Sequence, residues 1–125
     1  MNITRELIKY IVANTTHVVG TDIFQGRIPD TNKNGLIVSH GGGSENESLL
    51  QTYMIHIMSH YDDYDTASDN LVAVHNLLAH CNGLTFDSGD YVHNVVPVKL
   101  PGFVTVTEQN KYVFSCSLMC FITRP

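Results

Sequence analysis

The sequence of 125 residues has no tryptophan, only three cysteines and few charged residues, which make up 15% of the chain. An odd number of cysteines does not form a closed disulfide framework, so we expect reduced, buried thiols. No apolar stretch reaches the ~18 residues of a membrane-spanning helix. A hydrophobic share of 43% with so little charge excludes an intrinsically disordered chain. The length predicts one domain over residues 1–125, since ~100–200 residues is usual for a domain.

Basic side chains are missing from the middle of the chain. Neither Lys nor Arg occurs between Gly41 and Val98, whereas residues 41–90 carry eight of the twelve carboxylates. Affinity for nucleic acid comes mainly from Lys and Arg that neutralise phosphates, so direct phosphate binding is a poor interpretation. The charged residues near the N-terminus interrupt its apolar pattern, which does not fit a signal peptide.

Hydrophobic periodicity predicts helices at residues 3–13 and 65–80. The remaining apolar segments read as strands, at 36–38, 49–58, 91–100, 103–106 and 112–122. Alternation is clearest in the last strand, where every second residue from Tyr112 to Ile122 is apolar. The order favours an α+β fold: a mostly antiparallel β-sheet with two α-helices packed on one face.

Acidic residues cluster where the second helix begins. Asp63, Asp65 and Asp69 have part of the spacing of a calcium-binding loop, but Ser68 and Val74 stand where that loop needs Gly and Glu. Carboxylates at a helix start cap its free amides and complement its dipole, and capping is the better interpretation. The helix's apolar stripe consists of Tyr64, Ala67, Leu71, Val74 and Leu78.

The remaining candidate sites carry no chemistry. His56 and His60 have the spacing of two zinc ligands on a helix, but in a strand they lie ~13 Å apart. Cys81 beside His80 has no evident third group to orient a catalytic dyad. The cysteines of the last strand alternate with its core residues, which favours packing. We therefore predict no catalytic residue, no cofactor and no metal ion.

The whole pattern is nevertheless distinctive in the order and spacing of its parts. Its segments are, in order, a helix ending in Asn14-Thr15-Thr16; Val19 to Gly26 with Ile28-Pro29; a strand ending in Gly41-Gly42-Gly43; Tyr61 to Ala67 leading into a helix; and a hairpin closing with Asn110 to Ser115. This pattern resembles the small minor capsid and tail-completion proteins of tailed bacteriophages. That group is similar in fold to the tail terminators of long-tailed phages.

The resemblance implies a structural virion protein and not an enzyme. Such proteins form a hexameric ring that caps the tail tube and joins it to the head connector, and DNA passes through its lumen. The implied partners are further copies of the chain, the tail tube protein and the head-connector or stopper proteins, with no membrane. The implied location is the tail or neck of the virion, assembled in the host cytoplasm. The alternatives are a head-completion or stopper protein, a small cytosolic binding module, or an enzyme that uses His and Asp.

Two segments are candidates for the assembly interface. The second face of the strand 49–58 is more apolar than solvent exposure requires, and packs either the second helix or a neighbouring subunit. We also expect the Gly-rich, acidic segment that precedes it to form a loop that reaches across a subunit boundary. The candidate residues are Gly41, Gly42, Gly43, Glu45, Glu47, Leu50, Met54 and Met58.

Overall fold

The computed structural model describes residues 3–29, 33–45, 50–79 and 81–123, and for residues 42–45 it describes the backbone only. The helices are α1 (Ile3–Asn14) and α2 (Tyr64–Ala79). The strands are β1 (Ile23–Gln25), β2 (Gly35–Glu45), β3 (Leu50–Tyr61), β4 (Leu84–Thr85), β5 (Tyr91–Val106) and β6 (Tyr112–Thr123).

The strands form one sheet of six in the order β1-β2-β3-β6-β5-β4. Among the pairs of these described strands, β1–β2 is parallel and the others are antiparallel, and β6 lies between β3 and β5. On the side of the sheet that the helices cover, Ile55 pairs with Leu118 and Ile57 pairs with Cys116. All four of these side chains are buried, as period-two alternation requires of strands with one covered face.

Both helices pack on the same face of this sheet. The apolar stripe of α1 includes Ile3, Leu7 and Ile11, and it joins one core cluster with the stripe of α2 and the inward residues of β3 and β6. The predicted α+β architecture is confirmed, because helix stripes spaced three and four residues apart meet strand faces of period two.

The start of α2 confirms the capping interpretation for Asp63. The Asp63 Oδ2 atom accepts hydrogen bonds from the backbone amide and the hydroxyl of Thr66, both at 2.9 Å. These bonds hold the pKa of Asp63 below its usual range, the backbone contribution being the larger. Tyr64 corrects the predicted stripe: its ring is exposed and packs against aromatic residues of β5 and β6 instead of entering the core.

Two predicted boundaries are wrong. Gly41, Gly42 and Gly43 do not form a loop: they lie inside β2, which continues to Glu45 because β3 offers pairing partners as far as Gln51. Pro101-Gly102 does not end a strand, because β5 stays paired with β6 across a register shift between Lys99 and Gly102. The short strands β1 and β4 were not predicted, since two or three residues carry no periodicity.

A buried lysine joins three segments at one end of the sheet. The Lys111 Nζ atom, before β6, donates to Asn34 Oδ1 at 2.7 Å and also contacts Asp62 Oδ1. Asn34 in turn donates to the Asp62 carboxylate at 3.3 Å. The bonds from Lys111 and Asn34 lower the pKa of Asp62. These three residues, here called the polar latch, connect the start of β2 and the β3–α2 turn to the start of β6.

Candidate assembly surface

The face of the sheet away from the helices, here called the helix-free face, holds part of the predicted interface. Met54 is paired with Met119 and Met58 with Ser115, with their side chains opposite the covered residues of β3. Met54, Met58 and Leu50 are half-buried. Because both helices pack on the other side, the expectation that α2 covers these residues is wrong. The neighbouring-subunit interpretation stays a prediction.

Polar groups on the helix-free face are paired with one another. The ring Nδ1 of His56 lies 3.0 Å from Ser117 Oγ. The His93 ring contacts the hydroxyl of Thr123 and stacks edge-on against Tyr91, with ring centroids 4.8 Å apart. The sequence did not predict these pairs, because it does not show which strands become neighbours in the sheet. The face therefore mixes methionines with polar groups that already have partners.

Strand β5 changes character along its length. Its first half is covered, since Val92 and Val95 are buried in the core beneath α2. From Val96 onward the strand carries large apolar side chains that are exposed, with Leu100 at 69% and Val98 at 54%. The further exposed members are Val96, Phe103, Val104 and Val106. Such a run of exposed apolar residues marks an interaction surface.

Sequence reasoning missed this second half of β5, although it carried a signal. Pro97 and Pro101 lie within an apolar run, and proline inside a strand is confined to sheet edges or bulges because it has no amide to donate. The position of β5 near the edge of the sheet agrees with that rule. An apolar edge strand needs a covering partner or a guard against aggregation.

An aromatic cluster joins the second half of β5 to the start of α2. The Tyr64 ring lies 4.9 Å from that of Phe114 and 5.9 Å from that of Phe103, centroid to centroid. Phe103 is itself 5.6 Å from Phe114, which is buried. Tyr64 and Phe103 are both exposed, so this cluster presents two aromatic rings anchored by a buried third. Aromatic side chains held in this way are frequent anchors of protein interfaces.

The acidic residues that cluster at the start of the second helix in the sequence lie beside these aromatic rings. Asp62, Asp63, Asp65 and Asp69 are all exposed at the start of α2. Of the other predicted acidic positions, Glu45 ends β2 and Glu47 lies outside the described residues.

The cysteines are not placed for catalysis. Cys81, Cys116 and Cys120 are free and buried. Burial raises the pKa of Cys116 and of Cys120 to about 12 and raises that of Cys81 as well. Since the thiolate is the reactive form, these thiols are inert core residues. His80 lies outside the described residues.

A groove of about 250 Å³ lies between α1 and the segment around β4. Its charged residues are paired with each other, because Lys9 Nζ lies 3.4 Å from Asp87 Oδ2 and 3.7 Å from Glu6 Oε1. Tyr10 and Phe86 also line the groove, together with Ala13, Leu84 and Thr85. The described charged side chains that line the groove are therefore all paired within the chain.

The family model described as "Bacteriophage tail terminator protein" matches residues 10–124, which is nearly the whole chain. The chain belongs to the bacteriophage tail terminator family. The match spans all the described strands and α2, so it includes the helix-free face and the apolar half of β5. No curated protein matches the chain.

Membership makes this tail terminator a structural protein of the phage tail, and its function is to contact other tail and head proteins. Neither described helix has the length and apolar character needed to cross a membrane.

Proposed function

We propose that this tail terminator assembles as a hexameric ring that caps the finished tail tube and joins it to the head connector. The observation that carries the ring is the uncovered apolar half of β5, in a chain whose family acts in the phage tail. A monomer gains nothing from exposing Val98 and Leu100, whereas a subunit boundary removes them from water.

Several further residues lie where a boundary between subunits would use them. Leu50, Met54 and Met58 are half-buried on the helix-free face, and methionine adapts its shape to a partner surface. The three glycines, Gly41, Gly42 and Gly43, lie in β2 at the far side of the sheet from β5. The proposal includes Glu45 and Glu47 because these acidic residues follow the glycines closely in the sequence.

We also propose that the acidic surface lines the lumen through which DNA passes. Asp63, Asp65 and Asp69 are exposed, and the chain has no Lys or Arg between Gly41 and Val98. Repulsion between these carboxylates and the DNA phosphates prevents binding, so the DNA slides through the lumen. A map of the ring whose lumen is lined mainly by Lys and Arg contradicts this part of the proposal.

Electron microscopy of tails assembled with and without the protein tests the function. We expect a ring of six copies at the head-proximal end of the tube, with an open centre, and tails that join heads only when it is present. A ring that stays on isolated heads would instead identify a head-completion or stopper protein. Tails that join heads equally well without the chain would refute both assignments.

A further inference from the structure

One row of paired residues crosses the sheet from β1 to β5, near the start of α2. Phe103 of β5 pairs with Phe114 of β6, which pairs on its other side with Ser59 of β3. Val19, which precedes β1, forms a bridge with Ile23 and ends the row at the opposite side of the sheet. In order, the row consists of Val19, Ile23, Leu36, Ser59, Phe114 and Phe103.

The inner residues of this row are buried beneath the helices. Ile23 and Leu36 are fully buried in the core cluster. The buried Ser59 hydroxyl donates to the backbone carbonyl of Ala67 in α2 at 2.9 Å. Phe114 is buried against the Tyr64 ring. Because residues paired across a sheet lie on one face, the two ends of the row belong to the helix-covered face as well.

Both ends of the row are apolar and exposed. Val19 is 60% exposed and its neighbour Val18 is exposed too, and in the described chain they are the exposed large apolar residues outside α2 and β5. Phe103 is 49% exposed and lies beside the exposed Tyr64 ring and Val104. The row therefore leaves an apolar patch uncovered at each side of the sheet. Exposed apolar patches mark contact surfaces.

We propose that Phe103 of one copy packs against Val19 of the next copy, so that the row continues from subunit to subunit. The proposal rests on the ring proposed above and names the contact that builds it. The contact joins two different surfaces, so each copy that uses one of them keeps the other for its next neighbour. Head-to-tail contacts of this type form a closed ring when the rotation closes.

The common row of Val19 and Phe103 favours this contact in a ring. A rotation about an axis parallel to the strands leaves every residue at its own height along that axis. Since the row runs across the strands, its two ends have matching heights and lie on the same face. The contact therefore removes apolar surface of both residues from water without a displacement along the strands.

Charge at the β5 end argues against contact between two copies of that same end. Asp65 is exposed and directly follows Tyr64, whose ring lies 5.9 Å from that of Phe103. Two such ends would bring like charges together, which repel. The segment 15–22 around Val19 contains one carboxylate, that of Asp22. Asp22 already accepts the Val18 amide and lies 3.2 Å from His17 Nδ1, so the β1 end is the better partner.

Cysteine cross-linking between copies tests the contact directly. We expect the V19C/F103C double variant, treated with a short bis-maleimide, to give linked products of more than two chains, alone and on tail tubes. The matched control is V19C/Y91C, because Tyr91 is also exposed but lies at the opposite end of β5, paired with Thr123. This control is not expected to cross-link. The native thiols are buried and stay unreactive.

The single variants separate the outcomes. Neither V19C nor F103C alone is expected to cross-link, and their equimolar mixture is expected to stop at dimers, because each chain then has one reactive surface. Dimers of F103C alone, or equal cross-linking of V19C/Y91C, would overturn the proposal. A ring of the double variant seen by native mass spectrometry without any cross-link would overturn the contact and leave the ring intact. Absence of any oligomer of the native chain, free or on tails, would overturn both.

Charge insertion gives a second test that does not depend on cross-linking. Val19→Lys changes an exposed side chain and is expected to leave the Tm unchanged. It should lower the assembled fraction by at least about tenfold, because the contact would bury a charge without a counter-charge. The control is Asn76→Lys, which adds the same charge to an exposed position of α2 outside the row. Normal assembly of the V19K variant, or equal loss with N76K, would contradict the proposal.

Discussion

Strands β3 and β5 flank the same central strand and are both rich in apolar residues, yet they differ in almost every physical respect. Strand β3 pairs along its length with β6 and on its other side with β2, and its alternate residues are buried. Strand β5 pairs with β6 through four register shifts, and among the described residues a strand pairs with its other side only at its first two residues. Its second half is exposed.

The difference shows that two things decide whether the apolar residues of a strand are buried. One is the number of neighbouring strands, and the other is whether a helix packs on that part of the sheet. Val92 and Val95 of β5 join the core cluster, whereas Val96 and Val98 further along the strand are exposed. The apolar residues of β3 therefore contribute mainly to folding, while those of the second half of β5 are available for association. Substitutions in the two strands should separate these contributions.

The largest effect is expected for Ile57→Ala in β3. Ile57 is fully buried against Cys116, so the truncation removes buried methylenes and leaves a cavity. The free energy of unfolding should fall by about 2–5 kcal/mol in urea denaturation. Val104→Ala in β5 is the control and should change stability by no more than about 0.5 kcal/mol. Similar losses at both positions would erase the contrast between the strands.

The next effect concerns the polar latch at the end of β3. Lys111→Met keeps the length of the buried stem but removes the bonds to Asn34 and Asp62. We expect a loss of about 1–3 kcal/mol, since hydrogen bonds of charged groups contribute roughly that much. Thermal unfolding at pH 7 measures it. Lys99→Met, in the exposed half of β5, is the comparison and should leave the Tm nearly unchanged.

The latch also predicts a pH dependence. The folded pKa of Asp62 is lowered by the bonds from Lys111 and Asn34, so its contribution to stability is complete above the unfolded pKa of about 4. The contribution is lost as the pH falls through the folded value. Lys111→Met should therefore flatten the loss of stability between about pH 5 and 2. An unchanged acid profile would show that the latch does not act on Asp62.

A matched pair of substitutions within β5 should show a smaller difference. Val92→Thr buries a hydroxyl beneath α2 and should cost about 1–2 kcal/mol. Val98→Thr places the same hydroxyl in water and should change stability by less than about 0.5 kcal/mol. Urea denaturation of both variants makes the measurement. Equal losses of stability would mean that the two halves of β5 do not differ in burial.

The smallest effect is expected at His60 of β3. Burial and the nearby Lys111 lower the pKa of His60, so the folded state resists protonation that the unfolded chain accepts. Stability should therefore fall as the pH drops below the unfolded value of about 6.5. His60→Gln should reduce the difference in Tm between pH 7.5 and pH 5.5. The same substitution at exposed His93 of β5 is the control.

Much of the fold was predictable because its signals are local. The stripes of α1 and α2 repeat at helical spacing, and the alternation from Phe114 to Ile122 identifies a half-buried strand without knowledge of its neighbours. Asp63, directly before α2, has a capping role that depends only on an adjacent amide. The glycines of β2 were predicted as a loop because glycine is rare in strands, and only pairing with β3 keeps them extended.

The candidate assembly surface was predictable only in part. Met54 and Met58 were singled out from alternation, but alternation does not say which face the helices cover. The apolar half of β5 was missed because Val98 and Leu100 look like core residues in the sequence. Their exposure depends on the place of β5 near the edge of the sheet, which contacts between distant residues decide.

The sequence by itself determined the α+β class, the helix stripes, the caps and the charge distribution, because each depends on residues a few positions apart. The lack of basic residues between Gly41 and Val98 also needs no structure to be seen. Only the tertiary structure decided the strand order, the helix-covered face and the edge of β5 that has no neighbouring strand among the described residues beyond Val92. Those features depend on contacts between residues far apart in the chain, and they separate the strand that stabilises the subunit from the strand that is free to meet another.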